Sequence, residues 1–300
     1  MHVLLTGGTG FLGNTLVRAL VGRGDRCTVV SRSGRDRWHN DGVRVLRADP
    51  TQPGAWQRAV AGADAVVNLA GERVVHPLHR WTASRKATLF ASRVETARRL
   101  VEAVRSADPR PRVLVSASGV NYYGARGDER LEEDAPPGDD FLARLCAAWE
   151  DAARGAADVT RVIVVRTGVV LAAGAPVLAP MLPFFRLGLG SSWGDGRGWW
   201  SWIHLADYTG LVLLALDGAL EGPLNLTAPH PITVDDFTAA LGRALHRPVL
   251  FRMPAAGLRL ALGEAADALL HLQRVIPARA LAAGYGFRFP TAAAALADIF

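Results

Sequence analysis

The amino-acid sequence predicts an α/β fold: a doubly wound parallel sheet with a smaller C-terminal α/β substrate lobe. Three observations carry this. At the start of the chain a glycine trio, Gly7, Gly10 and Gly13, separates a short apolar run from an apolar stretch of helical period. Short buried-type runs then alternate with helical segments, the spacing of a parallel sheet covered on both faces. Beyond residue 171 the alternation loosens, with proline and glycine clustered over 174–198 and tryptophans at Trp193, Trp199, Trp200 and Trp202. The expected division is a dinucleotide-binding domain over residues 1–170 and the lobe over 171–300, with some of its segments returning to the sheet.

Val3, Leu4 and Leu5 form the first strand, which stops at Thr6. The glycines then let the chain turn, let the backbone approach a pyrophosphate, and let helix and strand pack closely. The helix that follows, to about Arg23, offers free N–H groups and a partial positive charge to phosphates. A second strand, Cys27-Thr-Val-Val-Ser31, ends where a dinucleotide fold meets the adenosine ribose. An acid there favours a free 2′-hydroxyl and a cation favours a 2′-phosphate. Ser31 and Arg32 occupy the position with no acid, which favours NADP(H) over NAD(H); the competing reading is a solvated basic turn.

The third strand, 43–47, leads to Asp49, placed either to accept a hydrogen bond from an adenine amino group or to cap the turn ahead of Pro50. The fourth, 63–71, ends in small residues that let a cofactor lie across the strand ends. An irregular segment over 73–82 precedes a long helix to about Arg105 with Lys86 on its first turn. The fifth strand, 112–116, leads into Ala117-Ser118, then Tyr122-Tyr123-Gly124. An acidic loop, a helix over 141–155 and a sixth strand over 161–166 follow. The tail carries a helix after Asp207, a strand near 223–226, a helix over 234–245 and alanine-rich helices.

Half of the 300 residues are apolar, enough to bury a substantial core. No apolar run approaches the roughly 18 residues of a membrane span, and no basic stretch precedes a long apolar core at the start. The expectation is a cytoplasmic protein with no membrane partner. Cys27 and Cys146 are far apart and read as buried thiols in a reducing compartment. The net charge of +6 comes from arginines scattered among acids, which argues against a nucleic-acid partner. No cluster has metal-ligand spacing. The expected partner is a small-molecule substrate, and the expected state a monomer or homodimer. Within the basic residues one fact stands out: Lys86 is the only lysine.

Thr6 to Gly13, Asn68-Leu-Ala-Gly71, Ser116-Ala-Ser118 with Tyr-Gly close behind, Arg166-Thr-Gly168, and Trp202-Ile-His204 with Asp207 together resemble the extended short-chain dehydrogenase/reductase family. That resemblance implies a Rossmann domain binding NAD(P) and places the chain beside sugar epimerases and dehydratases. Finer features resemble an epimerase-like branch of the epimerase/dehydratase superfamily, few of whose members have an assigned reaction. These are Asn68-Leu-Ala-Gly-Glu72, Arg80-Trp-Thr82 with Lys86, Tyr122-Tyr-Gly124, Pro136-Pro-Gly-Asp-Asp140, Arg186-Leu-Gly-Leu-Gly190 and Gly284-Tyr-Gly-Phe287. The cofactor contacts expected are Gly7, Thr9, Gly10, Phe11, Leu12, Gly13, Ser31, Arg32, Asp49, Leu69, Ala70, Gly71, Glu72, Ser116 and Arg166.

The catalytic pair of the main family departs here. That pair is Tyr-x-x-x-Lys on one helix, where i and i+4 share a face and the lysine charge lowers the tyrosine pKa. The residue four before Lys86 is Thr82, so the chain has no such pair; alignment by spacing puts Phe141 and Leu145 in its place. Three readings follow. In the first the protein is an oxidoreductase or epimerase with relocated groups: Ser118 polarises a small hydroxyl or carbonyl substrate, Tyr122 or Tyr123 moves the proton, and Lys86 or Arg126 supplies charge. On an extended segment only one of the two tyrosines would face the pocket. In the second, the fold binds NADP(H) without turnover, as a sensor or partner protein. The third is a hydrolase, because Gly190-Ser-Ser192-Trp-Gly194 fits G-x-S-x-G, a motif that needs a strand before it and a helix after it. His204 and Asp207 read as a loop-fixing histidine and a capping acid. Trp202 reads as packing, and Trp193 as facing a pocket.

Overall fold

The computed structural model describes residues 1–75 and 80–300. Residues 76–79, within the irregular segment expected over 73–82, lie outside the described residues. Seven strands form the central sheet: β1 (His2–Thr6), β2 (Arg26–Ser31), β3 (Val43–Arg47), β4 (Ala65–Asn68), β5 (Val113–Gly119), β6 (Arg161–Thr167) and β7 (Gly222–Leu226). Their order is β7-β6-β5-β4-β1-β2-β3, and every pairing is parallel. The winding reverses at β1, so a crevice opens beyond the carboxyl ends of β1, β2 and β4, where such sheets bind ligands.

The main helices are α1 (Phe11–Gly22), α2 (Ala83–Ser106), α3 (Phe141–Arg154), α4 (Leu205–Asp217) and α5 (Val234–Ala244). Side chains alternate across a strand, and β1 shows the result: Val3 and Leu5 pack with Leu16, Leu20, Leu211 and Val212 of α1 and α4, while Leu4 packs on the other face with Leu100, Val104 and Ala153 of α2 and α3. Both faces are therefore covered, which is why the strands read as continuous apolar runs. A third core, around Trp200, Trp202, Phe237 and Phe289, holds the C-terminal segments together. The strand β7 and the helix α4 lie beyond residue 170 and join the sheet layers.

Two local differences from the sequence expectation affect the site. Pairing with β6 continues to Gly119↔Thr167, so β5 runs past residue 116 and Ser116 to Ser118 lie within the strand. Residues Val120–Tyr123 form a single 3₁₀ turn instead of an extended segment, so the alternation argument for the two tyrosines does not apply. No helix among the described residues is long and apolar enough to cross a membrane.

Candidate active site

The turn between β1 and α1 is shaped by close backbone approach. Gly7 has φ +72°, and a Cβ there would lie 2.5 Å from the carbonyl carbon of Leu69. A Cβ on Gly13 would lie 2.3 Å from the Gly7 carbonyl oxygen. Gly10 differs: a Cβ there would meet only the Gly7 oxygen, at 3.2 Å, and otherwise project into open space. Gly10 is the N-cap of α1 and provides no side-chain cap, so the first N–H groups of the helix, beginning at Phe11 and Leu12, have no capping partner. This bare helix end faces a cleft of about 350 Å³ lined by Gly7, Thr9, Gly10, Ser31, Arg32 and Asp49, and on its other side by Leu69 to Glu72. A diphosphate fits such a seat, because unpaired N–H groups and the helix dipole both favour an anion there.

Just past the end of β2, Arg32 is exposed and its Nη2 lies 3.0 Å from Glu72 Oε1. Ser31 and Ser33 hydroxyls stand 3.2 Å apart beside it. Asp49 Oδ1 accepts from the Thr51 amide at 3.0 Å and from the Thr51 hydroxyl at 2.8 Å, so Asp49 both lines the cleft and closes the turn after β3. The loop after β4 is pinned from α2: the Glu72 amide donates to Ser92 Oγ at 3.1 Å, and buried Arg93 donates to the Glu72 carbonyl at 2.8 Å. Burial lowers the Arg93 pKa, and its guanidinium sits 5.3 Å from the Trp149 ring. Ser92 and Thr96, which line the cleft from α2, had no motif to mark them in the sequence.

Ser116 is not on the cleft. Parallel register sets Thr6, Asn68 and Ser116 side by side across β1, β4 and β5. Thr6 donates to Asn68 Oδ1 at 2.7 Å, Asn68 donates to Ser116 at 3.2 Å, and all three are fully buried. This ladder satisfies buried polar groups of the sheet.

Arg166 is likewise committed elsewhere. Its Nε and Nη2 each donate to Glu150 at 2.9 Å, and its Nη1 donates to the Tyr123 hydroxyl at 3.0 Å and the Glu133 carbonyl at 2.9 Å. Tyr123 donates on to Asn225 at 2.7 Å, and Ser118 donates to Glu150 at 2.7 Å. Burial pushes the Tyr123 phenol up to about 12, although Arg166 pulls the other way. The Tyr122 ring lies under the Arg166 guanidinium, 3.5 Å from its centroid. A fully satisfied buried network of this kind rigidifies the junction of β5, β6 and β7. Glu150, its hub, was legible in principle: it falls on the apolar face of α3 with Leu142, Cys146 and Ala153.

A family model described as the NAD dependent epimerase/dehydratase family matches residues 3–226, and one described as a domain of unknown function (DUF1731) matches residues 253–299. The chain belongs to the NAD dependent epimerase/dehydratase family. It is 41% identical over 304 residues to the epimerase family protein SDR39U1 of Bos taurus, covering 100% of this chain and 99% of that protein. It is similar to the crystal structure of human epimerase family protein SDR39U1 with NADPH, at TM-score 0.89 and 38% identity, covering 100% of this chain and 99% of the other. The UDP-glucose 4-epimerase of Thermus thermophilus in complex with NAD has TM-score 0.80 at 22% identity, covering 100% and 98%; that likeness is one of fold.

The chain has no Tyr-x-x-x-Lys pair, and alignment by spacing sets Phe141 where the tyrosine is expected. Phe141 and half-buried Lys86 meet instead: Lys86 Nζ lies 4.9 Å from the Phe141 ring centroid and 2.5 Å from Glu264 Oε1. Phe141 and Glu264 line a polar cleft of about 310 Å³ with Asn121, Asp140, Asp267 and His271. His271 lies 3.3 Å from Asp140 and 3.7 Å from Asp267, a carboxylate–imidazole grouping that the sequence order hid because its members are 127 or more residues apart along the chain, save for Asp267. The four expected catalytic residues are thus divided: Ser118, Tyr122 and Tyr123 sit at the Arg166 network, and Lys86 contacts Phe141 and Glu264 of the polar cleft without lining it.

The remaining sequence candidates are structural. His204 caps α4 by accepting from the Ala206 amide at 3.2 Å, and burial lowers its pKa. Asp207 accepts from the Arg288 and Phe289 amides at 2.8 and 2.9 Å. Ser192 donates to Asp235 from a strand, Ser191–Trp193, with no helix directly after it, so the G-x-S-x-G segment is no nucleophile elbow. Trp202 is fully buried, and Trp193 faces a cavity in the C-terminal lobe. Among the described residues, no group of three or more His, Cys, Asp or Glu is placed to hold a metal ion.

Proposed function

We propose that this chain binds NADP(H) at the β1–α1 turn and acts as an oxidoreductase or epimerase on a small hydroxyl- or carbonyl-bearing molecule. The observation that carries this is the seat itself: Gly7 and Gly13 leave no room for a side chain, Gly10 opens onto the cleft, and the end of α1 is bare. NADP(H) is favoured over NAD(H) because Ser31, Arg32 and Ser33 crowd the ribose end with donors and a cation. The NADPH bound to the human relative supports the same choice. When bound, the nicotinamide supplies or accepts a hydride.

Within the chain, the backbone N–H groups of Phe11 and Leu12 orient the diphosphate, and Leu69, Ala70 and Gly71 form the floor on which the cofactor lies. Lys86 is the group proposed to exchange a proton at Nζ, because ammonium can do so and guanidinium cannot. Glu264 steadies its charge and Phe141 limits water on one side. Ser118 and Tyr123 are assigned a positioning role, since their hydroxyl protons are already donated to Glu150 and Asn225.

That same commitment favours a second reading, in which the fold binds NADP(H) without turnover as a sensor or partner protein. Cytoplasmic residence and a monomeric or homodimeric state belong to this proposal as well; the free, buried Cys27 and Cys146 are consistent with a reducing compartment. The deciding experiment titrates purified protein with NADPH and NADH by nicotinamide fluorescence, then follows reduced-cofactor absorbance over a panel of ketones and alcohols. Absorbance change establishes an enzyme. Tight binding with neither an absorbance change nor an inverted stereocentre in any recovered alcohol, read by chiral chromatography, selects the sensor, and a flat titration with both coenzymes removes the cofactor reading.

A further inference from the structure

The C-terminal lobe contains a second, larger cavity of about 840 Å³, within the size range of roughly 300–1,000 Å³ typical of small-molecule sites. Its wall includes Val177, Met181, Phe185, Trp193, Trp200 and Met253. We propose that this cavity holds the substrate and that the substrate is a neutral, largely apolar molecule bearing a single carbonyl or hydroxyl, not a nucleoside-diphosphate sugar. The inference rests on the cofactor reading above for its chemistry and on the cavity wall for its ligand class.

Three observations support it. First, the wall is poor in cations. Among the described lining residues the cations are Arg73 and Arg252, and Arg252 Nη2 is already held by both oxygens of Asp235 at 2.8 and 3.0 Å. A diphosphate would bring about two negative charges against a wall whose described residues offer Arg73 and the Asp235-paired Arg252 to answer them, a burial that costs heavily. Second, the mouth is apolar. Phe184, Leu189, Phe251 and Met253 line the cavity yet are 44–58% exposed, and Leu187 and Leu250, beside them in sequence, are 74% and 76% exposed. Large apolar side chains gathered at a cavity mouth mark a route for an apolar ligand. Third, the cavity is joined to the cofactor cleft by the chain itself: Leu69 to Glu72 line the cleft, and Arg73 and Val75 of the same loop line the cavity. Arg73, next in sequence to Glu72 of the cleft, therefore sets the end of the cavity at which the ligand's polar group is placed.

The test uses the full-length chain and the neutral fluorophore Nile red, with NADPH binding measured separately. The expected result is saturable binding near one fluorophore per chain, displaced by a medium-chain methyl ketone and unaffected by UDP-glucose at equal concentration. The double variant Phe184→Asp/Leu189→Asp alters two exposed side chains, so the fold is retained; it should weaken Nile red at least ~10-fold while leaving NADPH affinity unchanged. Displacement by UDP-glucose, absence of saturable Nile red binding in protein that still binds NADPH, or equal binding to the double variant would each overturn the proposal. Loss of NADPH binding by itself would instead remove the cofactor reading, and the competition would still decide the ligand class of the cavity.

Discussion

Lys86 stands over the ring of Phe141, with its ammonium nitrogen 4.9 Å from the ring centroid and 2.5 Å from Glu264. The only lysine of the chain is therefore brought, from another helix, beside the residue that alignment by spacing sets where the tyrosine is expected.

Lys86→Met should lower turnover of an identified substrate by ~10²–10⁴-fold, the range for losing a general acid or base. NADPH affinity should not move. Because both partners are partly exposed, the lost ion pair should cost under about 1 kcal/mol, so the melting temperature should change little. Undiminished turnover in this variant would exclude Lys86 from the chemistry.

In the proposed NADP(H) complex, Arg32 would make a charge-assisted contact available only to a 2′-phosphate. Arg32→Ala should weaken NADPH by roughly 10–100-fold, matching about 1.5–3 kcal/mol for a hydrogen bond to a charged group. NADH should be nearly unaffected. Glu72→Gln, which releases Arg32 from its 3.0 Å partner, should tighten NADPH a few-fold. An equal loss for both coenzymes on Arg32→Ala would refute the assigned role.

Gly7 and Gly10 should separate folding from binding. Gly7→Ala sets a Cβ 2.5 Å from Leu69 at φ +72°, so thermal denaturation should reveal a loss of roughly 1–3 kcal/mol. Gly10 has φ −75° and its Cβ would meet only the Gly7 oxygen, at 3.2 Å, so Gly10→Ala should lower the melting temperature much less than Gly7→Ala. Calorimetry should nevertheless show weaker NADPH binding, because the new methyl group enters the diphosphate seat. Unchanged affinity in Gly10→Ala would place the phosphates elsewhere.

The buried phenol of Tyr123 makes stability depend on alkaline pH. Its pKa is 10.0 when free and about 12 in the fold, so between these values the unfolded chain releases a proton that the folded chain retains. The contribution is complete below pH 10 and is lost as pH rises toward 12. Cys27 and Cys146, raised to about 12 and about 11, act in the same direction from a lower starting value. Tyr123→Phe should reduce the slope of urea-unfolding free energy against pH in this window, and at neutral pH should cost ~1–3 kcal/mol for the abandoned Asn225 and Arg166 groups. An identical slope in the variant would show that Tyr123 is not the titrating group.

Local pattern alone carried the sheet and the glycine turn, because each is written in neighbours: apolar runs for strands buried on both faces, and glycine where Leu69 or Gly7 leaves no room for a Cβ. The disappearance of the tyrosine–lysine pair was equally plain from a chain with one lysine. What only the tertiary structure decided was which side chains had partners. Ser116 and Arg166 sat at positions that suggested cofactor contact, yet lateral register joined Ser116 to Asn68, and α3 delivered Glu150 to Arg166. Those choices depend on atoms 16 to 48 residues apart, or 178 in the case of Lys86 and Glu264. A buried polar group takes whatever donor or acceptor the packing brings within about 3 Å, and no periodicity along the chain encodes that meeting.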